Sequence, residues 1–148
     1  MIKNYSNKPV RIVAYVKFPR KHRNWKERTN EIVASLEKYV ADLNHDPIGA
    51  YVDFMEYPSP VLDWDSALGM LTEKAELGEI DIILTKSLYQ ISNSTTEAAV
   101  ILRKFKECGV EVYCERENMD NMGPIMESLY DFIDEKIKEE RNGTKSTE

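Results

Sequence analysis

From Val10 to Val16 every position except Arg11 is apolar, and most are β-branched or aromatic. That is the pattern of a strand covered on both faces. Comparable runs recur at Ile48 to Phe54, Ile80 to Thr85 and Val110 to Glu115. Between them the apolar period changes from continuous to three and four. Ile32, Val33, Leu36, Tyr39, Val40 and Leu43 predict a helix from about Asn24 to Leu43. Leu68, Leu71 and Ala75 predict a second from about Asp65 to Leu77, stopped by Gly78. Ala99, Ile101, Leu102 and Phe105 predict a third, capped by Thr95 or Thr96 and ended by Gly109. Pro124 opens a last helix at its favoured first position.

The intervening segments are polar or proline-broken: Asn44 to Pro47, Tyr57 to Pro60, Lys86 to Thr95 and Glu117 to Gly123. Strands alternating with helices predict an α/β fold of three layers, with a mostly parallel central sheet of four or five strands and helices on both faces. In such sheets ligands bind beyond the carboxyl ends of the strands, so the loops after Val16, Phe54, Thr85 and Glu115 are where a site is expected.

A length of 148 residues suits one domain. We divide it into a polar lead (1–9), the α/β domain (10–123), a C-terminal helix (124–141) and a frayed tail (142–148). The last helix carries an apolar stripe that includes Ile125, Leu129, Ile133 and Ile137. It either packs on its own sheet or pairs subunits.

Twenty Lys and Arg against 26 Asp and Glu give a formal charge of −6, the wrong sign for a domain that grips DNA chiefly through phosphates. One stretch departs from that balance: Arg20, Lys21, His22, Arg23, Lys26 and Arg28. Arg20, Lys21, Arg23, Lys26 and Arg28 are either a solvated charge run or a contact for an anion or DNA. Cys108 and Cys114 form no CxxC pair and have no His at ligand spacing, so neither a disulfide framework nor zinc is expected, and the compartment expected is the cytoplasm. No run approaches the ~20 apolar residues of a membrane span. No phosphate-cradling glycine motif and no carboxylate–histidine set is present, so no cofactor and no metal is expected. Trp25 and Trp64 are expected to pack half-buried, and His22 and His45 to lie at the surface.

An ordered set of segments resembles the catalytic domain of the serine site-specific recombinases, the resolvase and invertase family. The segments are Ala14-Tyr15-Val16-Lys17, Ala50-Tyr51-Val52-Asp53, Gly78 through Leu88, and Gly109-Val110-Glu111-Val112, spread over roughly Val10 to Met122. The resemblance implies a resolvase-like fold and a role in DNA recombination. Family members attack a phosphodiester with a serine hydroxyl amid arginines that stabilise the transition state. Their first strand reads Tyr-x-Arg-x-Ser, where this chain has Tyr15, Lys17 and Pro19. Trp64 follows Asp63 where an arginine is expected, and Gln90 and Asn93 stand at the arginines of Asp-Arg-Leu-x-Arg. Tyr15 and Asp53 match the family but cannot perform the reaction alone. The resemblance therefore implies a pseudoenzyme acting as a protein-interaction or regulatory subunit, a homo-oligomer or a heteromer with an active recombinase. Two other readings stay open: weak or indirect DNA binding through the basic loop, and a small-ligand site in the same cleft.

Overall fold

The structure, a computed structural model, describes residues 8–54 and 66–116 together with Glu135. Four strands, β1 (Ile12–Phe18), β2 (Gly49–Phe54), β3 (Ile82–Thr85) and β4 (Glu111–Cys114), form one sheet in the order β2-β1-β3-β4, and every neighbouring pair is parallel. Registers are continuous: Tyr15 lies opposite Tyr51 on one side and Thr85 on the other. Helix α1 (Trp25–Leu36) runs on into a 3-10 turn (Glu37–Val40), and α2 (Ala67–Glu76), α3 (Leu88–Ile91) and α4 (Thr95–Glu107) follow.

Because side chains alternate along a strand, β1 and β3 feed two cores. On one face Tyr15 and Ile83 pack with Leu68, Leu71 and Ala75 of α2, Ile91 of α3, and Ala98, Ile101 and Phe105 of α4. On the other, Ile12, Ala14, Ile82 and Leu84 pack with Leu36 of α1 and Val40. The result is the three-layer α/β architecture expected from the alternating pattern. Burial of one such Leu or Ile side chain stabilises by about 1.5–3 kcal/mol, so both cores matter to folding.

The helix ends correct several boundaries read from the sequence. The first helix leaves α geometry at Glu37, not Leu43, because the chain tightens into the 3-10 turn that buries Val40. Helix α2 spans Ala67 to Glu76 with Ser66 as its cap, its hydroxyl accepting from Gly69 N–H at 2.9 Å. Helix α4 is capped by Ser94, whose hydroxyl accepts from Glu97 N–H, not by Thr95 or Thr96. Ser94 and Glu97 stand at the spacing of a capping box. The stretch from Lys86 to Thr95, expected as a loop, contains the short helix α3, which buries Ile91. Gly78 and Gly109 take positive φ of 70° and 80° and close α2 and α4, as their positions predict.

Among the described residues no helix is long and apolar enough to cross a membrane, and no cluster of metal-ligating side chains occurs. Asp63, Trp64, the expected C-terminal helix apart from Glu135, with Ile125, Leu129, Ile133 and Ile137, and the tail lie outside the described residues.

Candidate functional site

The sheet order fixes where a site can form. The chain leaves β1 toward β2 on one side and returns to β3 on the other, so the connections after β1 and β3 part company at their carboxyl ends. Such a switch point opens a crevice. A hollow of about 660 Å³ lies there. The end of β1 lines it with Lys17 and Phe18, followed by Pro19 and His22. Asn24, Arg28 and Ile32 at the start of α1 form a second wall, and Lys86 and Gln90 beyond β3 a third.

Two side-chain networks hold this end of the sheet. The first is built on Asp53 at the end of β2. Its carboxylate accepts from the backbone N–H groups of Ala67 (2.7 Å) and Leu68 (3.1 Å), the first residues of α2, and from the Tyr15 hydroxyl at 2.7 Å. A carboxylate at a helix amino terminus is favoured by the unpaired N–H groups and the helix dipole. Tyr15 is fully buried, and burial, then the charge of Asp53 and the hydrogen bond to it, push its hydroxyl well above the ordinary tyrosine range. Tyr15 therefore stays a protonated donor, and both residues are occupied in joining β1, β2 and α2.

The second network is Lys86, Glu115 and Ser35. The Lys86 ammonium lies 3.0 Å from Glu115 and 3.4 Å from the Ser35 hydroxyl, which itself donates to Glu115 at 2.9 Å. Burial works to raise the Glu115 carboxyl. The hydrogen bonds from Lys86 and Ser35 and the charges of Lys86 and Lys38 outweigh it, so the group sits below the usual carboxylate range. This cluster ties α1 to the ends of β3 and β4 and neutralises much of the charge of Lys86.

Lys17, Pro19 and Gln90, singled out from the sequence, do meet in the hollow. Gln90 accepts from the Lys17 backbone N–H at 2.5 Å through its carbonyl oxygen, so α3 is pinned to the end of β1. Pro19 is exposed at the rim and carries neither a hydroxyl nor an N–H. No Ser, Thr or Tyr lines the hollow among the described residues. Asn93 is exposed and does not reach it. Tyr15 and Asp53 belong to the cap of α2, not to the hollow.

Of the five Lys and Arg of the basic run, Arg28 alone lines the hollow, while Arg20, Lys21, Arg23 and Lys26 are exposed. The Lys21 and Lys26 ammonium groups stand 6.0 and 5.6 Å from the ring centre of Trp25, whose half-buried indole packs edge-on to Phe54 at 5.5 Å. Trp25 thus has the packing role expected of it. His22, read as a plain surface residue, packs edge-on to Phe18 and lines the hollow instead. Asn24 and Lys86 escaped the sequence reading. Lys86 had a usable signal, since it directly follows the third strand.

No family model matches the chain, and no curated protein matches it. Solved structures do. A resolvase family site-specific recombinase from Streptococcus pneumoniae aligns over 93% of this chain and 95% of its own, with TM-score 0.63 and 12% identity. The N-terminal catalytic domain of TP901-1 integrase aligns over 88% of this chain and 98% of its own, with TM-score 0.65 and 16% identity. The C-terminal catalytic domain of ISC1926 TnpA, an IS607-like serine recombinase, aligns over 72% of this chain and 69% of its own, with TM-score 0.56 and 17% identity. The fold is that of serine recombinase catalytic domains, as the ordered sequence segments implied.

Proposed function

We propose that this chain is a member of the serine recombinase family, concerned with DNA recombination, that has lost strand-cleaving chemistry. It acts in the cytoplasm as a protein-interaction or regulatory subunit, pairing with itself or with an active recombinase. The observation that carries this reading is the composition of the hollow at the carboxyl end of β1. Pro19 and Gln90 stand there, and no described side chain lining it supplies a nucleophilic oxygen. Phosphoryl transfer to a serine needs that oxygen, and it needs fixed donors around the phosphate, each worth about 2.7–4 kcal/mol of barrier where such donors have been removed. Lys17 keeps a positive charge but lacks the bidentate fork of a guanidinium.

The subunit role is tested by gel filtration and by capture from the native cell. Expected is a stable oligomer or co-purification with a full-length recombinase. A protein that is monomeric at all concentrations and captures no recombinase overturns the role.

The exposed cations from Arg20 to Arg28 favour a second reading, a residual DNA-binding protein. It requires salt-sensitive DNA binding that weakens when Arg20, Lys21 and Arg23 are neutralised. No shift of DNA at low salt removes it.

A further inference from the structure

Among the described residues, charge pairing is distributed unevenly. Arg11 pairs with Asp81, Lys74 with Glu79, Lys86 with Glu115, Arg103 with Glu107 and Lys104 with Glu76. Lys17 and Arg28, by contrast, make no ion pair among the described residues, although both line the hollow. The stretch from Lys17 to Arg28 carries six of the chain's 20 Lys and Arg and a single carboxylate, Glu27. Unneutralised cations held beside one another repel, and they cost stability unless an anion answers them.

The remaining lining is suited to more than a bare ion. The amino end of α1 borders the hollow at Asn24, whose side chain does not cap the helix, so the positive end of the helix dipole adds to the field of Lys17 and Arg28. Phe18 and His22 give an aromatic side, backed by Phe54 stacked on Phe18 at 5.9 Å. Gln90 spends its carbonyl on Lys17 N–H and keeps its N–H donors for a ligand. A volume of about 660 Å³ lies within the ~300–1,000 Å³ typical of small-molecule sites.

We propose that this hollow reversibly binds a small phosphorylated molecule bearing a planar ring, of nucleoside monophosphate size. Lys17, Arg28 and the first turn of α1 hold the phosphate, Phe18 and His22 face the ring, and the bound molecule is not cleaved. The exposed cations Arg20, Lys21, Arg23 and Lys26 raise the local concentration of anions without forming the seat. The strongly acidic remainder of the chain disfavours a long polyanion. The inference rests on the reading that the hollow holds no strand-cleaving group. That reading fails on a covalent DNA adduct, whereas this one fails on the absence of reversible binding, so the two failures are distinguishable.

The test is titration of the full chain with each of the four nucleoside monophosphates, the matching nucleosides, inorganic phosphate, and single-stranded and duplex oligonucleotides, followed by calorimetry or NMR. At least one monophosphate is expected to saturate with Kd below about 1 mM, with its nucleoside and inorganic phosphate each binding at least tenfold more weakly. The double variant Lys17→Gln, Arg28→Gln is expected to lose roughly tenfold or more, while Lys74→Gln, which removes a paired cation on α2, binds as the parent does. Unchanged urea midpoints in both variants separate lost binding from lost folding. No saturation by any monophosphate overturns the proposal, as does binding that the double variant leaves intact. Tighter binding of an oligonucleotide, weakened chiefly by Arg20→Gln and Arg23→Gln, also overturns it and assigns the basic corner to a polymer.

Discussion

Tyr15 and Lys17 stand two residues apart on the same strand, with side chains on the same face of the sheet, yet their circumstances are opposite. The Tyr15 hydroxyl is buried and bonded to Asp53, which also receives two N–H groups of α2. Lys17 lines the hollow and makes no ion pair among the described residues. Two residues of strand therefore separate a hydroxyl that the fold uses, bonded to the cap of α2, from a cation that makes no ion pair among the described residues. The residues that match the resembled family, Tyr15 and Asp53, are those the fold uses. Of those that depart from it, Lys17, Pro19 and Gln90 line the hollow and Asn93 does not reach it.

The comparison is broken most severely through Asp53. Asp53→Ala leaves the Tyr15 hydroxyl and two helix N–H groups without their acceptor, and it is expected to cost about 2–4 kcal/mol, read as a fall in the urea midpoint. Lys17→Gln, on the facing side of the contrast, is expected to change stability by less than about 0.5 kcal/mol. If the two substitutions cost the same, the distinction between a structural cap and a hollow on which folding does not depend collapses.

Tyr15→Phe sharpens the same point at smaller amplitude, about 1 kcal/mol at neutral pH, because Asp53 keeps its two backbone donors. It also carries a pH signature. The folded hydroxyl titrates above its unfolded counterpart, so its contribution is complete below the ordinary tyrosine range and is lost as pH rises beyond about 10, when the unfolded chain ionises first. Denaturant melts at alkaline pH should show a steeper decline for the parent than for Tyr15→Phe.

Asp81 provides the acid-side counterpart, away from the hollow. Hydrogen bonds from the Arg11 guanidinium at 3.0 and 3.1 Å, with one from the Arg11 backbone N–H at 2.9 Å, hold its carboxyl below the usual range although burial opposes them. The stabilisation is present above about pH 4 and fades as pH falls through the folded value. Because the pair is partly exposed, Asp81→Asn is expected to cost only about 1 kcal/mol at neutral pH. The variant should lose less stability than the parent between neutral pH and pH ~3.

The strands and the layer arrangement were legible in the sequence because β1 and β3 are buried on both faces, which leaves continuous apolar runs. Gly78 and Gly109 were legible because positive φ leaves few alternatives to glycine. Helix α3 was hidden, since four residues with only Leu88 and Ile91 apolar carry no periodicity. The cap of α4 was misplaced by one or two residues because Ser94, Thr95 and Thr96 all carry a suitable hydroxyl, and only the backbone turn selects among them. The wall of the hollow formed by α1 was illegible for a different reason. Whether Asn24, Arg28 and Ile32 face the end of β1 depends on how α1 rolls on the sheet, which the stripe of Ile32, Val33 and Leu36 sets only approximately.

The proposed loss of cleavage chemistry is tested most directly by looking for its covalent product. The parent and Pro19→Ser proteins are each incubated with supercoiled plasmid and with DNA from the native cell, denatured, digested with nuclease, and searched by mass spectrometry for nucleotide linked to serine. Neither protein should carry one, since a restored hydroxyl at position 19 would still face Gln90 and the single charge of Lys17. A nucleotidyl-serine on the parent protein would contradict the inert hollow outright.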